Sequence, residues 1–188
     1  MVTISGFLAL AAIGLYSAFL ARICRADAAL FALPVIGGGA VWLCLWGFLG
    51  LLPVGGWLFY LGAAALVAVL LARRRLAETL ETLFTPAFGV FLAASVFFLA
   101  VFAITRPEFA QNDEFTLWGS AAKLTKLQNV LHPAAQGNLL AKASNPGMML
   151  VVYLFQFFSA GFSEWSAYFA YDAMLAAAVA AMAALAGK

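Results

Sequence analysis

"LPVGGWLFYLGAAALVAVLLARRR", residues 52–75, decides how the chain is read. Its first five residues carry the Pro and Gly of a tight turn. Residues 55–72 then run without a single charge before three arginines end them. About 20 apolar residues in a helix cross the hydrocarbon of a bilayer. Trp57 and Tyr60 sit where interfacial aromatics anchor a span, and Arg73, Arg74 and Arg75 mark its other end. This stretch therefore reads as a membrane span with a turn on one side of the bilayer and a cationic stop on the other.

The rest of the chain agrees. Of 188 residues, 66% are hydrophobic and only 10% charged, and the mean hydropathy is +1.02. Water-soluble domains are about half apolar and a quarter charged. Apolar runs place spans at about 2–21, 28–52, 55–72, 84–105, 147–163 and 166–186. The fold class is all-α: a polytopic membrane bundle of about six helices, because helices satisfy their own backbone in lipid. The whole chain is one transmembrane domain, with three N-terminal spans in 1–83 and a span-loop-span unit in 84–188. A net charge of +2 without a basic block excludes a nucleic-acid partner. Cys24 and Cys44 lack metal-ligand spacing to a histidine and read as small hydrophobes. Pro34 and the glycines 37–39 mark the second span as kinked and closely packed.

Lys and Arg in short loops set orientation. Arg22 and Arg25 fall between spans one and two, and Arg73 to Arg75 between three and four; the turn between two and three has none. Both basic loops are expected in the cytoplasm, with the N-terminus and the 106–146 loop extracytoplasmic. Six spans would also put the C-terminal end outside, Glu164 at an inner turn, and Asp172 toward the cytoplasmic side. The chain is expected to be a piece of a longer protein.

"QNDEFTLWGSAAKLTK", residues 111–126, opens the one long polar segment. The spacing predicts an amphipathic helix capped by Asn112, with Leu117, Ala121, Leu124, Leu127 and Leu131 on one side and Lys123 and Lys126 on the other. Asp113 and Glu114 fall in its first turn, where the helix dipole alone stabilises acids by roughly 0.3–1 kcal/mol each. An ionised carboxylate there also suits a general base or a ligand to a divalent metal ion, the one candidate cofactor, with Asp113 its ligand. Lysines suit phosphate as point charges. His132 is the only histidine. Asn145 and Pro146 read as the cap and first turn of the next helix. Asp172, inside the last span, is a site hypothesis of its own.

The run Asp113, Glu114, Phe115, Thr116, Leu117, Trp118, Gly119 and Lys123 resembles the C-type integral membrane glycosyltransferase superfamily, whose enzymes use polyprenyl-phosphate-linked sugars. Asn145-Pro146-Gly147 and the "SEWSAY" stretch are similar too. The resemblance covers about residues 84–186. Leu117 stands where a histidine is frequent, one proline stands for two, and the chain has about half the spans of full-length members. The resemblance implies Asp113 as the catalytic carboxylate with Glu114 beside it. Trp118 and Lys123 match the motif and would then shape the site or hold phosphate; Lys126, read beside Lys123, and His132 are further candidates for holding phosphate. It implies a polyprenyl-phosphate sugar as donor, a cell-envelope glycan or lipid as acceptor, and the bacterial inner membrane as location. A transporter or flippase component, and a non-catalytic membrane subunit, are the alternative readings.

Overall fold

The computed structural model describes residues 2–131, 134 and 146–187. These residues form an all-α membrane helix bundle with no strand. The helices are α1 (Val2–Cys24), α2 (Ala29–Phe48), α3 (Leu52–Ala72), α4 (Leu76–Glu81), α5 (Pro86–Thr105), α6 (Asn112–Thr116), α7 (Trp118–Gln128), α8 (Pro146–Phe155) and α9 (Glu164–Ala186). Five of them (α1, α2, α3, α5 and α9) are long and apolar enough to cross a membrane. Pro53 and Pro86 stand at the starts of α3 and α5, where a missing N–H costs nothing.

The spans define two faces. At the arginine face, Arg22 at the end of α1 pairs with Glu78 of α4 and donates to Thr79 Oγ1 at 3.1 Å. Thr85 caps α5 by accepting the Phe88 N–H, and its hydroxyl donates to Asp27 Oδ1 at 2.9 Å. Asp27 accepts the Ala29 N–H as well, so one carboxylate joins the starts of α2 and α5. At the opposite face lie the start of α1, the α2–α3 turn, α6, α7 and the start of α9.

The helix expected at 147–163 is different. Helix α8 has 10 residues, about 15 Å, half of what a crossing needs. Met149 to Phe155 are all buried, so α8 is enclosed by protein from Met149 onward. Residues 156–163 leave the helix and rejoin α9 through a closed pair. Gln156 Nε2 donates to Ser163 O at 2.8 Å, and Ser163 N–H donates to Gln156 Oε1 at 2.9 Å. Ser159 Oγ donates to Gln156 O at 2.6 Å. Non-helical backbone in a membrane protein has to be satisfied by protein or water; here Gln156 and Ser159 are buried and hydrogen-bonded, whereas Ala160 is exposed.

The segment also lies on the loop face. Phe158 N–H donates to Ser5 Oγ at 3.1 Å, and the Trp57 ring meets Phe157 and Phe158 edge-on at 5.3 and 5.7 Å. The chain thus leaves α7 and enters α9 on the same face: α8 is re-entrant. Three expectations change as a result. Glu164 lies on the loop face rather than at an inner turn, and α9 carries the chain to the arginine face rather than away from it. Asp172, two turns into α9, is nearer the loop face than expected.

Small residues set the packing. Of the glycines 37–39, a Cβ on Gly37 or Gly38 would meet nothing, whereas one on Gly39 would lie 3.2 and 3.3 Å from Phe59 and Leu154. Gly39 is therefore the residue that lets α2 approach α3 and α8. Tyr60 Oη donates to Leu154 O at 2.7 Å, fixing α8 against α3.

Replacing the buried Gln156 with Leu would leave the half-buried Ser163 N–H and C=O without their partners, at up to roughly 1–3 kcal/mol for each group. The thermal midpoint of the purified protein in detergent is expected to fall by about 5 °C or more. An unchanged midpoint would show that the Gln156–Ser163 pair does not hold the re-entrant segment.

Candidate functional site

The polar segment begins where α5 ends at Arg106, in a left-handed conformation (φ 47°, ψ 55°) that turns the chain onto the loop face. Gln111, not Asn112, is the N-cap of α6. Its side chain accepts the Glu114 N–H, while Glu114 Oε2 accepts the Gln111 N–H at 2.7 Å: a capping box one residue earlier than expected. The same oxygen accepts the Ala110 N–H at 2.6 Å. Tyr168 Oη, from α9, donates to Glu114 Oε1 at 2.6 Å. One turn before it, Glu164 Oε2 accepts the Phe109 N–H at 2.7 Å.

Glu114 is thus buried, with both carboxylate oxygens occupied. The Gln111 N–H, the Tyr168 hydroxyl and the Ala110 N–H outweigh the cost of burial and hold its carboxyl below the usual range. Its work is to fasten residues 109–114 to α9. Asp113, by contrast, is exposed, and its carboxylate has no hydrogen bond or ion pair among the described residues. Adjacent acids of the same chemistry have separate fates because one side of α6 faces α9 and the other faces out.

Helix α7 starts afresh at Trp118 after a break at Leu117 (φ −117°, ψ −97°). The face expected from the leucines is buried only in part: Ala121 and Leu131 are buried and Leu124 is half-buried, whereas Leu117 and Leu127 are exposed, and Ala122, Thr125 and Lys126 are buried beside them. The two lysines separate accordingly: Lys123 is exposed, with no ion-pair partner among the described residues, and Lys126 is 7% exposed. Gly119 permits the α6–α7 corner, since a Cβ there would stand 2.1 Å from Glu114 O and 2.5 Å from the Phe109 ring. Trp118 packs edge-on against Phe109 and Tyr171, each at 5.1 Å, and so joins α7 to α9 rather than standing free for a ligand.

Lys126 is the unexpected feature. Its Nζ donates to Phe157 O at 3.1 Å and stands 5.6 Å from the centre of the Tyr153 ring. No carboxylate pairs with it among the described residues. Burial pushes its pKa below the ordinary lysine value. It lines a cleft of about 420 Å³ with Asn129, Tyr153, Ser159 and Trp57. Tyr153 Oη donates to Asn129 Oδ1 at 2.9 Å, which holds the cleft's rim. Phe158 forms part of its wall and also lines an apolar furrow of about 470 Å³ between α1 and α3, which continues past Leu15 and Val67 to Leu80 of α4.

His132 and Asn145 lie outside the described residues. No group of three or more His, Cys, Asp or Glu side chains suited to a metal ion occurs among the described residues. Sequence reasoning missed Tyr168, Glu164 and Phe109. The four-residue spacing of Glu164 and Tyr168 on one helix face was the available signal, but nothing local couples them to residues 55 and 54 positions away.

Comparison of the chain with protein-family models, with curated proteins and with solved structures gives no match.

Because the Glu114 carboxyl is held below its ordinary 4.5, the stability it lends is fully present above that pH. It is lost as pH falls through the lowered value. Limited proteolysis of residues 106–128 should accelerate on acidification below about pH 4.5 in the wild type. In Glu114→Gln the cleavage should be faster at neutral pH and lose that acid dependence. An identical pH profile in both proteins would contradict the clamp.

Proposed function

We propose that this chain is the membrane unit of a glycosyltransferase, moving a sugar from a lipid-phosphate donor to a glycan or lipid acceptor of the cell envelope. The observation that carries the reading is Lys126. A buried cation without a counter-ion is costly, and buried charges are ordinarily paired. An anion that enters the Lys126 cleft supplies the missing charge. The furrow that meets the cleft at Phe158 is apolar along its length and suits a prenyl chain. A phosphate with a long hydrocarbon tail matches both. The resemblance of residues 113–123 to polyprenyl-phosphate-dependent enzymes supports the same substrate class.

In this reading Asp113 is the general base. It takes the proton of an acceptor hydroxyl; the acceptor oxygen attacks the anomeric carbon; the bond from that carbon to the phosphate oxygen breaks, and polyprenyl phosphate leaves. Lys126, with Lys123 one turn away on α7, stabilises the charge that builds on the leaving phosphate. Glu114 positions the segment and takes no proton. Asp113 alone offers a metal one carboxylate, so no step is routed through a divalent ion. The arginine-bearing short connections support an orientation with that face in the cytoplasm and the loop face outside, as in a bacterial inner membrane.

The chain reconstituted with a polyprenyl-phosphate sugar is the test. Asp113→Asn should lower transfer by about a hundredfold or more while leaving donor retention unchanged. Lys126→Met should weaken donor retention by about tenfold, the loss of one charge-assisted contact. Unchanged turnover in Asp113→Asn would remove Asp113 from the chemistry, and unchanged retention in Lys126→Met would remove the phosphate from the cleft.

A further inference from the structure

A second cleft opens at the arginine face, on the other side of α1 and α3 from the furrow. It encloses about 590 Å³. Its walls are Phe19 and Ile23 of α1 with Ala65 and Val69 of α3, and Arg73 and Arg75 stand at its mouth beside Arg22. The three arginines differ. Arg22 is committed: it pairs with Glu78, and it donates to Thr79 Oγ1 and, at 3.3 Å, to Arg75 O. Arg73 and Arg75 have exposed side chains with no ion pair or hydrogen bond among the described residues. Arg22 thus holds the α3–α4 connection over the end of α1, and the other two guanidiniums are left at the head of an apolar slot.

We infer that this cleft binds an anionic phospholipid of the bilayer, its phosphate between Arg73 and Arg75 and an acyl chain along Ala65 and Val69. Charge decides the occupant. The slot opens into lipid, so hydrocarbon fills it, and the two free guanidiniums select a negative headgroup. Arginine's planar fork matches phosphate oxygens bidentately. Basic pockets between transmembrane helices hold anionic headgroups in the same manner. Ala65 keeps the slot wide enough for a chain, whereas Leu70, behind it, is buried in the bundle. The inference is independent of the lysine cleft and of transfer activity, which lie on the opposite face.

Native mass spectrometry of the full chain, released from detergent containing phosphatidylglycerol or phosphatidylcholine, tests it. The wild type should retain phosphatidylglycerol in preference to phosphatidylcholine. Arg73→Gln/Arg75→Gln should reduce that preference by roughly tenfold or more. Ala65→Phe, which fills the slot and keeps every charge, should reduce it similarly. Arg25→Gln/Arg74→Gln, on the same face but outside the cleft, should keep it. Equal loss in both arginine pairs would show diffuse attraction rather than a site. Retention that survives Ala65→Phe, equal retention of both lipids, or a dimer that Ala65→Phe abolishes would each overturn the assignment.

Discussion

The carboxylate of Glu114 is the joint on which the loop face depends. Three donors converge on it: two backbone N–H groups from its own segment and the Tyr168 hydroxyl from α9. Charge-assisted hydrogen bonds of this kind are roughly twice as strong as neutral ones. With Glu164 on the Phe109 N–H, they bind the polar segment to the first turns of α9. Because α9 begins there, the chain between α7 and α9 has to leave and return on one side of the membrane. The re-entrant course of α8 follows from that constraint and from the need to satisfy every backbone group at depth.

The same joint separates chemistry from structure in the polar segment. Glu114 and Trp118 face α9 and are consumed in holding it. Asp113 and Lys123 face outward and stay uncommitted. Lys126, on the buried side of α7, meets the Tyr153 ring of α8 and the carbonyl of Phe157 just beyond it. The cleft exists because the chain turns at the end of α8 and presents the carbonyl of Phe157 and the ring of Tyr153 to Lys126. A full crossing at 147–163 would have left Lys126 against helix backbone with no cavity to serve.

Much of the fold is legible in the sequence. Long uncharged runs, the Pro and Gly of the α2–α3 turn, and the arginine clusters give the five long helices and both faces, because lipid enforces these rules on every residue. Helix α8 escapes that reading. Its composition is as apolar as a span's, and hydropathy does not distinguish burial in protein from burial in lipid. It ends in a turn that the Gln156–Ser163 pair closes, a contact made by one amide in an apolar run. In the site, the first-turn placement of Asp113 and Glu114 is legible from local physics. Which of the two is free is not, because it depends on Tyr168. The separation of the two lysines is not legible for a related reason: both lie in α7, and which of them is buried depends on Tyr153 and Phe157, which pack against that helix from a distant part of the sequence.

The account turns on α8 being re-entrant, with five crossings and not six. Single cysteines at Lys123, Ala160 and Arg74, each exposed, in a Cys24→Ser/Cys44→Ser background, test it in sealed vesicles with a membrane-impermeant thiol reagent. Lys123→Cys and Ala160→Cys should react from one side of the membrane and Arg74→Cys from the other. Labelling of Ala160→Cys from the same side as Arg74→Cys would mean that residues 147–163 cross after all, and would contradict the account.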